Sequence, residues 1–363
     1  MCEATLNAVA DAGLSVDDID GFSFYHNGFD AGRLSSVLGI PELRWSSVVS
    51  GGGGGSQGAI ANAAAAVAAG YADVVLCVKA LKATGPGGRR IGRPRLRDQR
   101  EPAGGPDLDF NYPFGLMSPG QSFAMMARRH MHQYGTTTRQ FGEVAVTTRL
   151  HASRNPAALH RTPITLADHD ASRVIADPLR LLDFCLETEG GTALIVTSAE
   201  RARSLRQTPV HIRAAAQGGS GAWGQGIYTH QMPGDEYTSS GHRPLAARLY
   251  SAAGLGPEDI DVAEMYDHFS PLVIMQLEDY GFCAVGEGGP FVEDGGTRWD
   301  TGRLPVNTHG GNLSEVYLLG FTHTIEAVRQ LRGTSTSQVQ DAEVALVTSG
   351  PGVNPTSALI LRR

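Results

Sequence analysis

The feature that most constrains the fold is the segment 57–69, which consists almost wholly of alanine and other small residues. A helix that is apolar on every side has to be buried on every side, so this helix is expected between other layers of structure. A strand-like run, residues 45–50, precedes it, and glycines 51–55 lie between the two. A flexible linker is one interpretation of five glycines, but the flanking segments favour a tight strand-to-helix turn.

A near copy of one segment indicates two similar halves. Residues 12–20 match residues 253–261 at six of nine positions, and a short strand-like run follows each copy. Chance is the alternative for nine residues taken alone. A strand, a glycine turn and a helical pattern also describe residues 303–331, as they do residues 45–69. Helices that alternate with short apolar strands predict an α/β fold with mainly parallel sheets.

The composition excludes several classes of protein. With 363 residues, of which 41% are hydrophobic and 18% charged, the chain is globular and long enough for two cores. A net charge of −7 gives no reason to expect nucleic acid or a membrane surface as a partner. No apolar run approaches the roughly 18 residues of a membrane helix. The four cysteines lie far apart without metal-ligand spacing, which predicts reduced thiols, no metal site and a cytoplasmic location.

Two candidate functional residues follow a predicted strand, residues 261–266. Tyr266 and His268 lie at its carboxyl end, where open α/β sheets place their chemistry. A buried aromatic ring and a structural histidine are the alternative. Ser270 and Pro271 are predicted as the N-cap and the first residue of the next helix.

A polar turn at residues 307–317 is the second candidate site, and it is expected to open directly into a helix over residues 318–331. Gly310 and Gly311 permit close approach of the backbone to a ligand. The start of a helix aims N–H groups and positive potential at an anionic oxygen. Tyr317 is expected in the first turns of that helix, facing the same place.

An arginine-rich run interrupts the pattern of strands and helices. Arg89, Arg90 and Arg93 lie within residues 89–97, and guanidinium groups there could bind the phosphates of coenzyme A. A solvated loop or a subunit contact is the alternative. We expect a first half made of residues 1–84 and 178–207, an inserted region at 85–177 that caps this half, and a second half at 208–363.

Together these motifs resemble the thiolase superfamily near its sterol-carrier-protein-X branch, over nearly the whole chain. The likeness rests on the alanine-rich helix, Asp177-Pro178-Leu179, the Tyr-Asp-His-Phe motif at 266–269 and Asn-Thr-His-Gly-Gly at 307–311. Actinobacterial lipid-transfer-type steroid side-chain aldolases share these segments. The resemblance implies two βαβαβαββ halves packed as an α-β-α-β-α sandwich. Thiolase halves begin with a strand that this sequence lacks, so we expect a gap in the centre of the first sheet and a longer native chain.

The chain departs from thiolases at the positions of their chemistry. The nucleophilic cysteine would fall near Gly53, where residues 50–58 contain none, and no cysteine occurs at 350–353. By the same resemblance, Tyr266 and Tyr317 replace catalytic histidines. Acyl transfer through a thiolate is therefore not expected.

What remains resembles the site of a retro-aldolase for a β-hydroxyacyl-CoA. The implied substrate is a 17-hydroxy-steroid with a three-carbon CoA thioester side chain, cleaved to a 17-ketosteroid and propionyl-CoA. Tyr266 and Tyr317 would be the acid–base pair, with one pKa lowered by His268 or by a helix N-terminus. The residues expected to bind the enolate oxygen or the substrate are Asn307, His309, Gly310, Gly311 and Gly53.

The resemblance also implies the assembly. We expect no cofactor beyond the coenzyme A of the substrate, and a homodimer that binds two small OB-fold, acyl-CoA-associated partner proteins. Two alternatives stay open. One is an acyltransferase with an unrecognised nucleophile, which iodoacetamide would inactivate. The other is an inactive homologue that binds acyl-CoA or acts as a scaffold.

Overall fold

A computed structural model describes residues 1–25, 30–49, 54–81, 111–224, 226–228 and 232–363. Gly53, Arg89, Arg90 and Arg93 lie outside these ranges, so the roles predicted for them stay predictions. In chain order the helices and strands are α1 Cys2–Ala12, β1 Gly21–Tyr25, α2 Ala31–Leu38, β2 Trp45–Val49, α3 Gly55–Ala68, β3 Val74–Leu81, α4 Pro119–Tyr134, α5 Thr138–Arg154, α6 Leu166–Ala171, β4 Val174–Ala176, β5 Leu179–Arg180, β6 Gly190–Thr197, α7 Ala199–Ala202, β7 His211–Gly218, α8 Arg243–Ala253, β8 Val262–Glu264, α9 Ser270–Asp279, α10 Gly288–Val292, α11 Phe321–Arg332, β9 Val344–Ser349 and β10 Thr356–Arg362.

Two four-stranded sheets form the framework, in the orders β2-β1-β3-β6 and β7-β10-β9-β8. In the first sheet β1 is parallel to β2 and β3, whereas β6 is antiparallel to β3. In the second sheet β10 is antiparallel to β7 and β9, and β8 is parallel to β9. The α/β class is confirmed, but the sheets are mixed. A short loop joins β9 to β10, and so short a connection permits only an antiparallel pair.

The alanine-rich helix α3 lies between the two sheets, as its composition predicted. It contacts β1, β2 and β3 on one side and β7, β9 and β10 on the other. Its first turns are buried on all sides, whereas Ala65 and Ala68 reach the surface. A Cβ on Gly54 would lie 2.0 Å from the carbonyl oxygen of Pro355, and one on Gly55 would lie 1.8 Å from the ring of Tyr25. The described end of the glycine run is therefore a tight helix start.

Helices α4 and α5, in the region predicted as a cap on the first half, pack instead against the second. Phe123 and Phe141 share one hydrophobic cluster with Leu272 of α9. Helix α5 also contacts residues 311–315 and helix α9. An amphipathic helix buries one face, but its sequence pattern does not specify which half of the chain covers that face. The boundaries at 84, 177 and 207 stay predictions.

Two local expectations are wrong. The helix predicted over residues 318–331 begins at Phe321, because Leu319 and Gly320 have positive φ values (56° and 81°) that interrupt helical backbone; residues 311–315 form a separate turn of π-helix. Helix α9 includes Ser270 as its first residue, with Phe269 at the N-cap position. The Ser270 hydroxyl donates to the buried carboxylate of Asp183 (2.6 Å) instead of capping the helix.

The first sheet is continuous through its four strands. In the second sheet β7 is an edge strand that pairs with β10. Because β10 corresponds to β6 of the first sheet, the corresponding place there is the edge beside β6. A strand equivalent to β7 would therefore lie at an edge, so the expected central gap is wrong. Within the described ranges, no helix is both long and apolar enough to cross a membrane.

Candidate functional site

Two tyrosines from separate segments meet at the centre of the site. The hydroxyl oxygens of Tyr266 and Tyr317 lie 3.1 Å apart, within hydrogen-bonding distance. Tyr266 follows β8 by two residues, and Tyr317 lies in the loop before α11 rather than in that helix. Tyr266 is 2% exposed and Tyr317 is half-buried. The structure thus brings together the two tyrosines selected from the sequence.

The backbone of Tyr266 is fixed by side chains from β9 and α9. Its N–H donates to the hydroxyl of Thr348 (3.0 Å), and its carbonyl oxygen accepts from the amide of Gln276 (2.9 Å). Burial raises the pKa of the Tyr266 hydroxyl well above its usual value, and the neighbouring Tyr317 raises it further. Tyr266 therefore carries its proton at neutral pH, which suits a proton donor.

The backbone of Tyr317 is held from the first half of the chain. Its N–H donates to the hydroxyl of Thr188 (2.9 Å), and the same hydroxyl donates to its carbonyl oxygen (3.0 Å). Sequence reasoning missed Thr188, because 129 residues separate it from Tyr317 and no motif marks it.

His268 adjoins the pair through its ring. The imidazole meets the Tyr266 ring edge-on at 5.0 Å between centroids and the Phe123 ring at 4.4 Å. Burial lowers the pKa of His268 to about 3, so the ring is neutral at physiological pH. The expectation that His268 lowers the pKa of a tyrosine is therefore wrong for Tyr266, since a neutral ring supplies no positive charge. Among the described residues, Nδ1 of His268 has no hydrogen-bond partner. A neutral imidazole on a partly exposed side chain can still donate one hydrogen bond to a ligand.

The carboxylate of Asp267 fills the turn predicted to bind an anionic oxygen. It accepts the N–H groups of Asn312 (2.8 Å) and Leu313 (3.3 Å). The ring of His323 lies 3.0 Å from the same carboxylate. Burial opposes the charge on His323, but the hydrogen bond and the negative charge of Asp267 raise its pKa overall. The anion that this turn holds is thus one of the protein's own side chains.

Asn307 holds the turn against the strand end that precedes Tyr266, and Gly310 bonds within the turn. The Asn307 amide accepts from the Met265 N–H (2.7 Å) and donates to the Met265 carbonyl oxygen (2.8 Å). The Gly310 N–H donates to the carbonyl oxygen of Asn307 (3.0 Å). Contact of either residue with an enolate oxygen would require these bonds to open.

His309 faces buried carboxylates rather than a cavity. Its side chain is fully buried, with Nδ1 2.9 Å from Oε2 of Glu264 and Nε2 3.6 Å from Oε2 of Glu315. Burial raises the pKa of Glu264 to about 8, against the opposing charge of His323 and hydrogen bonds from Thr308. Among the described residues, neither ring nitrogen of His309 has a hydrogen-bond partner, and burial lowers the pKa of the ring.

Cys185 lies beside the site, although its sequence position gave no sign of this. Its backbone N–H donates to the carbonyl oxygen of His268 (2.9 Å). Burial, followed by the negative charge of Asp267, raises the pKa of the Cys185 thiol. A thiol that keeps its proton is a poor nucleophile. No group of side chains within the described ranges has the arrangement of a metal site.

Comparisons with known proteins identify the family of the chain. Residues 224–363 match the family described as "Thiolase C-terminal domain-like". The "17-hydroxy-3-oxo-4-pregnene-20-carboxyl-CoA lyase" of Mycobacterium tuberculosis is 44% identical over 99% of this chain and 92% of its own length. The "Steroid side-chain-cleaving aldolase" of Thermomonospora curvata is 46% identical over 99% of this chain and 91% of its own.

A solved structure, the "Ltp2-ChsH2(DUF35) aldolase", superposes with a TM-score of 0.89 at 44% identity and covers 99% of this chain and 91% of that one. Matches of this extent establish a shared family as well as a shared fold. The chain with the paired tyrosines belongs to the thiolase superfamily, on the branch of the steroid side-chain-cleaving aldolases.

Proposed function

We propose that the protein is a lyase that cleaves a β-hydroxyacyl-CoA by a retro-aldol reaction. The observation that carries the proposal is the 3.1 Å contact between the hydroxyl oxygens of Tyr266 and Tyr317. A retro-aldol reaction moves one proton from the β-hydroxyl oxygen to the α-carbon and needs no covalent intermediate with the enzyme. Two hydroxyls in contact can make this transfer while both tyrosines end as they began.

The proton transfer proceeds along the pair. Tyr317 accepts the proton of the β-hydroxyl as its own proton moves to Tyr266, and Tyr266 gives up its own proton in the same relay, so neither phenol carries two protons. The bond between Cα and Cβ breaks as the hydroxyl carbon becomes a ketone, and the bonding electrons form the thioester enolate. Tyr266 donates its proton to the α-carbon, which gives the acyl-CoA product. The high pKa of Tyr266 is consistent with this role, because the donor has to keep its proton until the enolate forms.

His268 supports the enolate in this proposal. Since the imidazole is neutral, a ring N–H can donate to the thioester oxygen without itself becoming a general acid. The amides of Asn312 and Leu313 already bind Asp267, which leaves His268 as the better donor among these groups. The coenzyme A role of Arg89, Arg90 and Arg93 stays a prediction.

The relatives' names supply the substrate class. We infer that the substrate is a 17-hydroxy-steroid with a three-carbon CoA thioester, since two relatives that match 99% of this chain are named for that type of cleavage. We also infer a homodimer that binds two small acyl-CoA-associated partners; the name of the similar solved structure, which joins Ltp2 with ChsH2(DUF35), supports the partner. The reaction would need no cofactor beyond coenzyme A and would take place in the cytoplasm.

The test is release of propionyl-CoA from a 17-hydroxy-C22-steroid CoA ester by the protein co-expressed with its OB-fold partner. We expect release by the wild type and its loss in Tyr266→Phe. Tyr250→Phe is the matched control, because the Tyr250 hydroxyl donates to the carbonyl oxygen of Tyr280 (3.1 Å), outside the tyrosine pair. A folded complex that binds the ester without releasing propionyl-CoA would refute the proposed substrate. Full activity in Tyr266→Phe would refute the proposed mechanism.

A further inference from the structure

We propose that Thr188 is a positioning residue that sets where the Tyr317 hydroxyl lies in the site. The proposal rests on the proposed function, since Tyr317 is one of the two residues that transfer the proton. It assigns a part in the reaction to the first half of the chain, whereas Tyr266, Tyr317 and His268 all lie in the second.

A single hydroxyl serves both peptide groups of Tyr317. Thr188 Oγ1 accepts the Tyr317 N–H at 2.9 Å and donates to the Tyr317 carbonyl oxygen at 3.0 Å. The Thr188 side chain is 8% exposed, so water has little access to replace it. A hydroxyl can donate one hydrogen bond and accept others, and Thr188 directs one bond of each kind to Tyr317.

The location of Tyr317 in the chain makes these two contacts important. The residue lies after the π-helical turn at 311–315 and before α11, which begins at Phe321. Its position is therefore set by contacts from other segments, and Thr188 provides contacts at both ends of the residue. A rotation of the Tyr317 peptide groups would move the phenol away from Tyr266.

Thr188 is itself held in a segment that runs along both tyrosine-bearing loops. Phe184 forms an isolated antiparallel bridge with Phe269. The Cys185 N–H donates to the carbonyl oxygen of His268 (2.9 Å), and the Leu186 N–H donates to that of Asn312 (3.0 Å). The segment 184–188 thus fixes the distance between the loop of Tyr266 and the loop of Tyr317.

The experiment compares Thr188→Val, which removes the hydroxyl at nearly constant shape, with Thr188→Ser, which keeps it. Both are assayed in the complex with the partner protein. We expect Thr188→Val to lower kcat by roughly ten- to a hundredfold with little change in KM, since a displacement of about 1 Å at a reacting group has this order of effect. Thr188→Ser should retain most of the activity.

A double-mutant cycle separates positioning from general destabilisation. If Thr188 acts through the Tyr317 hydroxyl, Thr188→Val should lower the residual activity of Tyr317→Phe by much less than it lowers that of the wild type. Equal fold-losses in both backgrounds, or wild-type kcat in Thr188→Val, would overturn the proposal.

A second measurement does not depend on turnover. In protein labelled with 13C at tyrosine Cζ, the signals of Tyr317 and Tyr266 are assigned from the two phenylalanine variants. We expect Thr188→Val to shift both signals and to leave that of Tyr250 in place. Unshifted signals would overturn the positioning role. If the wild type releases no propionyl-CoA, the proposed function fails, and the tyrosine signals still decide whether Thr188 positions Tyr317.

Discussion

Gly311→Ala tests whether Asp267 and the 310–313 turn hold the site together. Gly311 has φ +55°, and a Cβ placed there would lie 2.1 Å from Oδ2 of Asp267. Carbon and oxygen atoms do not approach so closely, so the carboxylate would have to move. It would then loosen its bonds to the N–H groups of Asn312 and Leu313 and to His323.

The size of the effect follows from two contributions. A left-handed backbone costs alanine about 1 kcal/mol relative to glycine. Weakening buried hydrogen bonds to a charged group adds about 1.5–3 kcal/mol for each bond that is lost. With one or two bonds lost, we expect Gly311→Ala to lower the free energy of unfolding by about 2.5–7 kcal/mol, by the same two contributions.

Gly333→Ala provides the matched control. Gly333 has φ +72°, and a Cβ placed there would have nothing within 4 Å, so alanine at this position meets backbone strain alone. Urea unfolding of both variants, followed by circular dichroism, gives the two changes in free energy. The difference between them isolates the contact with Asp267. If Gly311→Ala costs no more than Gly333→Ala, the Asp267 carboxylate does not hold this turn.

Three further predictions concern chemistry and pH. Tyr317→Phe should lower kcat by about 10²–10⁴, the usual contribution of a general acid or base, with a small change in KM; steady-state propionyl-CoA release checks this, and an unchanged kcat would contradict it. The folded pKa of Glu264 is raised to about 8 from 4.5, so its contribution to stability is present below about pH 4.5 and is lost as pH rises towards 8. This loss lowers the free energy of unfolding by up to about 1.4 kcal/mol per pH unit. Glu264→Gln should abolish it, as measured by urea unfolding between pH 6 and 8, and an identical slope in the variant would refute the prediction. Iodoacetamide at pH 7.5 should leave cleavage intact, because burial raises the pKa of the Cys185 thiol; inactivation with label on Cys185 would favour an acyltransferase.

The sequence predicted those parts of the protein that depend on local pattern. The alanine composition of α3 was enough to place it between layers, and the residues after β8 identified Tyr266 at a strand end. The extent of α11 was predicted less well. Residues 318–320 were expected inside the helix, but Leu319 and Gly320 have positive φ values of 56° and 81°, so the helix begins only at Phe321.

What the sequence did not reveal depends on contacts between distant segments. Whether Gly310 offers its N–H to a ligand or to Asn307 is decided by the fold, and no motif distinguishes the two. The charge of His268 is decided in the same way, because only burial shows that the ring is neutral. No sequence pattern links Thr188 to Tyr317, and its two bonds to Tyr317 appear only once the halves are packed together.

The position of α3 between the sheets has a consequence for synthesis of the chain. Gln57 bonds to Gly320 and to Thr324, and the Gly58 N–H donates to Ser357, partners that are 263 to 299 residues away in sequence. Contacts over such separations form slowly, and they have to wait for the C-terminal strands to leave the ribosome. Until then the small apolar side chains of α3 lack half of their cover. The nascent chain is therefore most prone to aggregation late in translation, and truncations that remove β10 should accumulate as insoluble protein.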